Sequence, residues 1–125
     1  MDAEHHALFQ FCDRLRLALK AKEGAARVGA LLDELAAHAV EHFSHEEREM
    51  RSARYSLYAW HKRQHVTAGN YLVLLKQASE RGDQDEALES LAFLSAWLND
   101  HIRLADRMLA ASLRNHRRAR QALAS

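Results

Sequence analysis

The chain has 125 residues and a formal net charge of +1, with 18 Lys and Arg against 17 Asp and Glu. That length fits one domain, residues 1–125, and the balanced charge gives no global pull toward nucleic acid or an acidic membrane surface. Nearly half the residues are hydrophobic, there is no proline and there are four glycines, so long helices are favoured and no segment reads as a flexible linker.

The first predicted helix runs from about Asp2 to Lys20, with Leu8, Cys12, Leu15 and Leu19 on one stripe that His5 continues toward the N-terminus. It ends at Lys22-Glu23-Gly24. The second runs from about Ala26 to Ser52, and its stripe changes from Leu31 and Leu35 to His38, His42, Glu46 and Met50. An inward face that turns from apolar to metal-ligand residues reads as a core that becomes a site. Arg54-Tyr55-Ser56 forms the next break, with Ser56 as the expected N-cap. The third helix, about Leu57 to Glu80, places His61, His65, Leu72 and Leu75 inward, and Gly82 supplies a stop. Asp83 and Glu86 read as a capping box opening the fourth helix at about Gln84. That helix continues past Leu113, with Leu91, Leu94, Leu98, His101 and Met108 near its buried side. From about Arg114 the end is basic, through Arg117, Arg118 and Arg120.

Four helices joined by short turns predict an all-α, antiparallel up-down-up-down four-helix bundle. In that topology His5, His42, His61 and His101 fall toward one end. Residues four apart on a helix differ by roughly 40° and lie about 6 Å apart along the axis. His61 with His65, and His42 with Glu46, therefore each face one way. His101 and Asp106 are five apart, about 140° on an α-helix, which separates them onto different faces. Five imidazoles and two carboxylates exceed one tetrahedral zinc and suit two ions sharing carboxylates, one with three histidines and one with two. Taken one at a time, the remaining histidines read otherwise. His6 and His116 are expected at the surface, His45 beside the ligand face, and His38 as a structural neighbour that is also the best spare ligand. Trp60, Phe43 and Phe93 read as core, and Cys12 as a small buried hydrophobe.

The segments DAEHHALF, HFSHEEREM, HKRQH and WLNDHIRLAD together resemble the hemerythrin family, and its bacterial members in particular, over nearly the whole chain. The resemblance implies two non-haem iron ions with an oxo or hydroxo bridge, and reversible binding of dioxygen for storage, delivery or sensing. It carries His5, His42, Glu46, His61, His65, His101 and Asp106 as metal ligands. Glu46 and Asp106 would bridge, with His42, His61 and His65 on one iron and His5 and His101 on the other, which keeps an open position. Trp97, Leu98 and Ile102 would line the oxygen pocket, and Met50, Tyr55 and Tyr58 also match. Ferritin-like and oxygenase di-iron proteins use Glu-x-x-His motifs, and this chain contains none.

Bacterial members usually carry an N-terminal arm before the first ligand helix, whereas here four residues precede His5. His5 is therefore expected in a fraying first turn, and a homodimer or the extended last helix would cover the surface the arm protects. The alternatives are a di-iron peroxidase or oxidase, with peroxide as substrate, and an input domain sensing redox state or nitric oxide. With one cysteine, no apolar run near the ~20 residues that span a bilayer and no secretion signal, a cytoplasmic protein without membrane contact is expected.

Overall fold

A computed structural model describes residues 2–124 and the side chains of residues 4–123. Helices α1 (Asp2–Lys20), α2 (Ala25–Ser52), α3 (Tyr58–Glu80) and α4 (Gln84–His101) form a bundle. A π turn, Ile102–Asp106, then joins α4 to α5 (Arg107–Ala124), so the fourth rod of the bundle is α4, the π turn and α5 in continuity. Around the bundle α1 packs on α2 and α4, and α3 packs on the same two. The arrangement is the expected all-α four-helix bundle.

Each of the first three rods stops in the same way. Lys22, Arg54 and Gly82 adopt positive φ, at 56°, 52° and 72°. The next amide reaches back to a carbonyl five residues earlier, Glu23 to Ala18, Tyr55 to Met50 and Asp83 to Ala78. This is the Schellman ending, in which a left-handed residue satisfies the last carbonyls. Glycine takes that conformation without penalty, whereas Lys22 and Arg54 each accept roughly 1–2 kcal/mol of steric cost. Asp83 caps α4 by accepting from the Glu86 amide at 3.1 Å. The reciprocal half of the expected capping box is missing, because the Glu86 carboxylate turns to Arg81. Leu57, not Ser56, precedes α3 as its cap residue, and it makes no side-chain cap bond. The Gln84 amide donates to the Leu19 carbonyl and ties the start of α4 to the end of α1.

The main core fills the bundle between its loop end and the histidines, through Leu8, Leu15, Leu31, Leu35, Leu75 and Leu91. Cys12 is buried there, as expected. A second, smaller cluster of Met50, Tyr55 and Leu109 lies beyond the histidines. Two expectations fail in register. Phe93 is 54% exposed and stacks on Tyr71 across α3 and α4 instead of entering the core. Met108 is 39% exposed, while its neighbour Leu109 is fully buried. The π turn explains the second case: its extra residue advances the inward face by one position.

Candidate metal centre

Between the two apolar clusters, seven ligand-type side chains converge. α1 contributes His5, α2 His42 and Glu46, α3 His61 and His65, α4 His101, and the end of the π turn Asp106. All are buried except His5, which is partly covered. The π turn corrects the expectation that His101 and Asp106 face apart. A π turn closes its hydrogen bonds five residues apart and so returns the fifth residue to the same face. His101 Nε2 and Asp106 Oδ1 are 2.9 Å apart.

Two groups form around the carboxylates. Glu46 Oε2 faces His61 Nε2 at 2.8 Å and His65 Nε2 at 3.0 Å, with His101 Nε2 at 3.9 Å. Asp106 Oδ1 joins this group, 3.1 Å from His61 Nε2. On the other side Glu46 Oε1 lies 2.7 Å from His42 Nε2, and Asp106 Oδ2 lies 3.1 Å from His5 Nε2 and 3.7 Å from His42 Nε2. Each carboxylate thus turns one oxygen to each group.

This arrangement corrects the division of histidines drawn from the family resemblance. His101 stands with His61 and His65, and His42 stands with His5. Each rod has two neighbours, but α3 packs more closely on α4, and α1 on α2, than the other two pairs do, and the imidazoles of each closer pair meet. The ring centroids of His61 and His101 are 4.8 Å apart, and those of His5 and His42 are 4.7 Å apart.

The donor atoms fit a metal better than a hydrogen-bonded core. His5 Nε2, His42 Nε2, Glu46 Oε1, His101 Nε2 and both Asp106 oxygens are buried without a hydrogen-bond partner among the described residues. They approach one another closely, yet out of line for donation, as atoms aimed at a common third centre do. Burying so many unsatisfied polar atoms is costly, at about 1–3 kcal/mol each. Imidazole nitrogen with carboxylate oxygen suits iron, zinc, copper or nickel. One group offers three imidazoles and two oxygens, and the other two imidazoles and two oxygens.

Without a metal, the groups hold one another's charge. Burial pushes His42 toward neutrality, but Asp106, Glu46 and Glu4 outweigh it and raise its pKa to about 10. His61 is buried too, and Asp106 and Glu46 raise it to about 9. His101 is also raised against its burial, by the same two carboxylates. Burial would raise Glu46 and Asp106, but the surrounding histidines hold both well below the usual carboxylate range.

Two supporting carboxylates were not singled out in the sequence. His42 Nδ1 donates to Glu4 Oε2 at 2.6 Å, and His65 Nδ1 donates to Glu47 Oε2 at 2.9 Å. Such outer partners fix the tautomer and orientation of a ligating imidazole. The available signal is position: Glu4 and Glu47 sit beside His5 and Glu46 in the chain. Phe43 stacks on His65 with centroids 4.2 Å apart, and Trp97 stacks on His101 at 4.7 Å. Leu98 and Ile102 belong to the main core packing above the centre. A shallow pocket of about 120 Å³ opens beside His101, lined by Trp60, Gln64, Trp97 and Leu104.

The other histidines stand outside both groups. His38 is exposed against Phe11, so it is not a spare ligand in this arrangement. His45 bridges Glu4 and Glu49, His6 is exposed beside Gln10, and His116, expected at the surface, is half-buried.

The comparisons agree with this geometry. The hemerythrin HHE cation binding domain matches residues 1–113. A bacteriohemerythrin of Stenotrophomonas maltophilia (strain R551-3) is 31% identical over 121 residues, covering 93% of this chain and 74% of that protein. A bacteriohemerythrin of Methylococcus capsulatus (strain ATCC 33009 / NCIMB 11132 / Bath) is 27% identical over 112 residues, covering 90% and 85%. No solved structure is a significant match. With a match over residues 1–113 and seven ligand-type residues gathered at one level of the bundle, the chain belongs to the hemerythrin HHE cation binding domain family.

Proposed function

We propose that the chain holds two non-haem iron ions bridged by Glu46, Asp106 and a solvent oxygen, and that it binds dioxygen reversibly for storage, delivery or sensing. The observation that carries this reading is the unequal division of donors around two shared carboxylates. His61, His65 and His101 serve one side, while the side with His5 and His42 has one imidazole fewer, so an ion held there would keep a position for a small ligand. A ferrous pair supplies the electrons that hold dioxygen reversibly. The chain's own residues set the conditions. Glu4 and Glu47 keep His42 and His65 in the tautomer whose Nε2 lone pair points inward. Trp97 stacks on His101, and Leu98 and Ile102 belong to the apolar core, surroundings that would limit water and protons on that side of the centre. Having only two carboxylates limits the negative charge available to stabilise more oxidised iron, which favours binding over oxygenation.

Cycling the iron-loaded protein between nitrogen and air tests the reading. A visible charge-transfer band that appears in air and disappears under nitrogen, over several cycles, supports it. Irreversible bleaching on first exposure contradicts it. The pocket beside His101 favours one second reading, a peroxidase that oxidises a small aromatic reductant. Steady turnover of a phenol with hydrogen peroxide, lost when Trp97 is replaced by Ala, would support that reading.

A further inference from the structure

We propose that α5, with the adjoining end of α2, is a docking surface for an acidic protein. The chain as a whole is nearly neutral, but its charge is segregated. Residues 107–124 carry Arg107, Arg114, Arg117, Arg118 and Arg120 and no Asp or Glu, so the rest of the chain is net acidic. All five arginines are exposed, and none pairs with a carboxylate among the described residues. Arg107, Arg114 and Arg118 fall within about 40° on one stripe of the helix, some 16 Å long. Arg117 and Arg120 flank a groove of about 250 Å³ whose opposite wall is Glu49 and Ser52 of α2 with Ala53 just after it. Arg54, in the turn that follows α2, is exposed next to Ala53 in the chain, whereas Arg51 donates to the Tyr58 hydroxyl of α3.

Guanidinium groups on a helical stripe match carboxylates repeated every three or four residues on a partner helix, with bidentate geometry available to each pair. Two other anionic surfaces fit less well. Besides the half-buried Leu113, α5 exposes Met108 and Leu123, at opposite ends of the helix and too little for insertion at a lipid surface. A nucleic-acid duplex carries a charge about every 1.7 Å along its length and would extend from α5 over the acidic bundle. A compact acidic patch meets the arginines without that repulsion. The first turns of α5 are anchored by Leu109 against Met50 and Tyr55, so the basic stripe is held on a rigid base.

The test uses the metal-loaded full chain and a synthetic helical peptide with glutamate at every third or fourth position. Fluorescence anisotropy at low salt should detect binding that weakens at least tenfold when salt is raised to physiological strength and above. A variant with R114Q, R117Q, R118Q and R120Q should bind at least tenfold more weakly, with unchanged helicity and metal content. A second variant, R54Q, should give a smaller loss and guards against a misfolded tail. Undiminished binding by the fourfold variant overturns the proposal. So does tighter binding of a 20-base-pair duplex, or of vesicles of phosphatidylserine and phosphatidylcholine, than of the peptide.

Discussion

Glu4 and Glu47 hold the outer nitrogens of His42 and His65, and neither carboxylate belongs to the converging set itself. Removing either should leave the fold intact and weaken the centre. For Glu47→Gln and Glu4→Gln, metal affinity is expected to fall about 10- to 100-fold, read by competition with a chromogenic chelator. Unchanged affinity in both would mean that these contacts do not orient the imidazoles. The carboxylates also link metal loading to protons. In the metal-free chain His42 keeps its proton up to about pH 10 and His61 up to about pH 9. Because these values lie above the ordinary 6.5, their contribution to metal-free stability is complete below that pH. It is lost as pH rises through 9 to 10. A metal ion needs neutral imidazole, so loading at pH 7.5 should release more than one proton per chain. Apparent affinity should then climb from pH 6 to pH 9. An indicator dye in weak buffer measures the release, and none would contradict this protonation.

The π turn is the element on which the site's geometry depends. Read as an α-helix, a spacing of five puts His101 and Asp106 on different faces and carries Met108 inward. The π turn moves both Asp106 and Leu109 onto the inward face. The α register is what helical periodicity gives by default, so the sequence left this feature hidden. Its trace was the spacing itself, seven ligand-type residues of which one pair alone breaks the rule of three and four. The assignment can be checked by stability. Leu109→Ala should cost roughly 2–5 kcal/mol, as for a buried leucine, whereas Met108→Ala should cost well under that. Chemical denaturation of both variants reads the difference, and the reverse order would place the register where simple periodicity put it. Deleting the exposed Leu104 should convert the π turn to α-helix while keeping His101 and Asp106 on one face, now four apart. The deletion variant is expected to retain its metal, and loss of both ions would show that the wider turn itself is required. The breaks between rods were more legible. Lys22, Arg54 and Gly82 all lie in segments that read as helix stops, although the left-handed φ of a lysine and an arginine carries no compositional signature.

At the scale of the molecule, the bundle, its rod order and the seven converging residues were all readable, because apolar stripes and ligand stripes share the helical period. Which histidine meets which was not. That depends on which neighbouring rods pack closest, and the structure gives α1 on α2 and α3 on α4. The metal centre lies between a large apolar cluster on one side and Met50, Tyr55 and Leu109 on the other. Both clusters must close for the seven side chains to meet, so the four rods, rather than any one loop, build the site. The division of donors that follows, three imidazoles against two, is the central claim, and anomalous scattering at the iron edge from crystals of the loaded protein tests it directly. The account predicts two iron peaks about 3.5–4 Å apart, one bound by His61, His65 and His101 and the other by His5 and His42. A single peak, or His42 bound with His61 and His65, would contradict it.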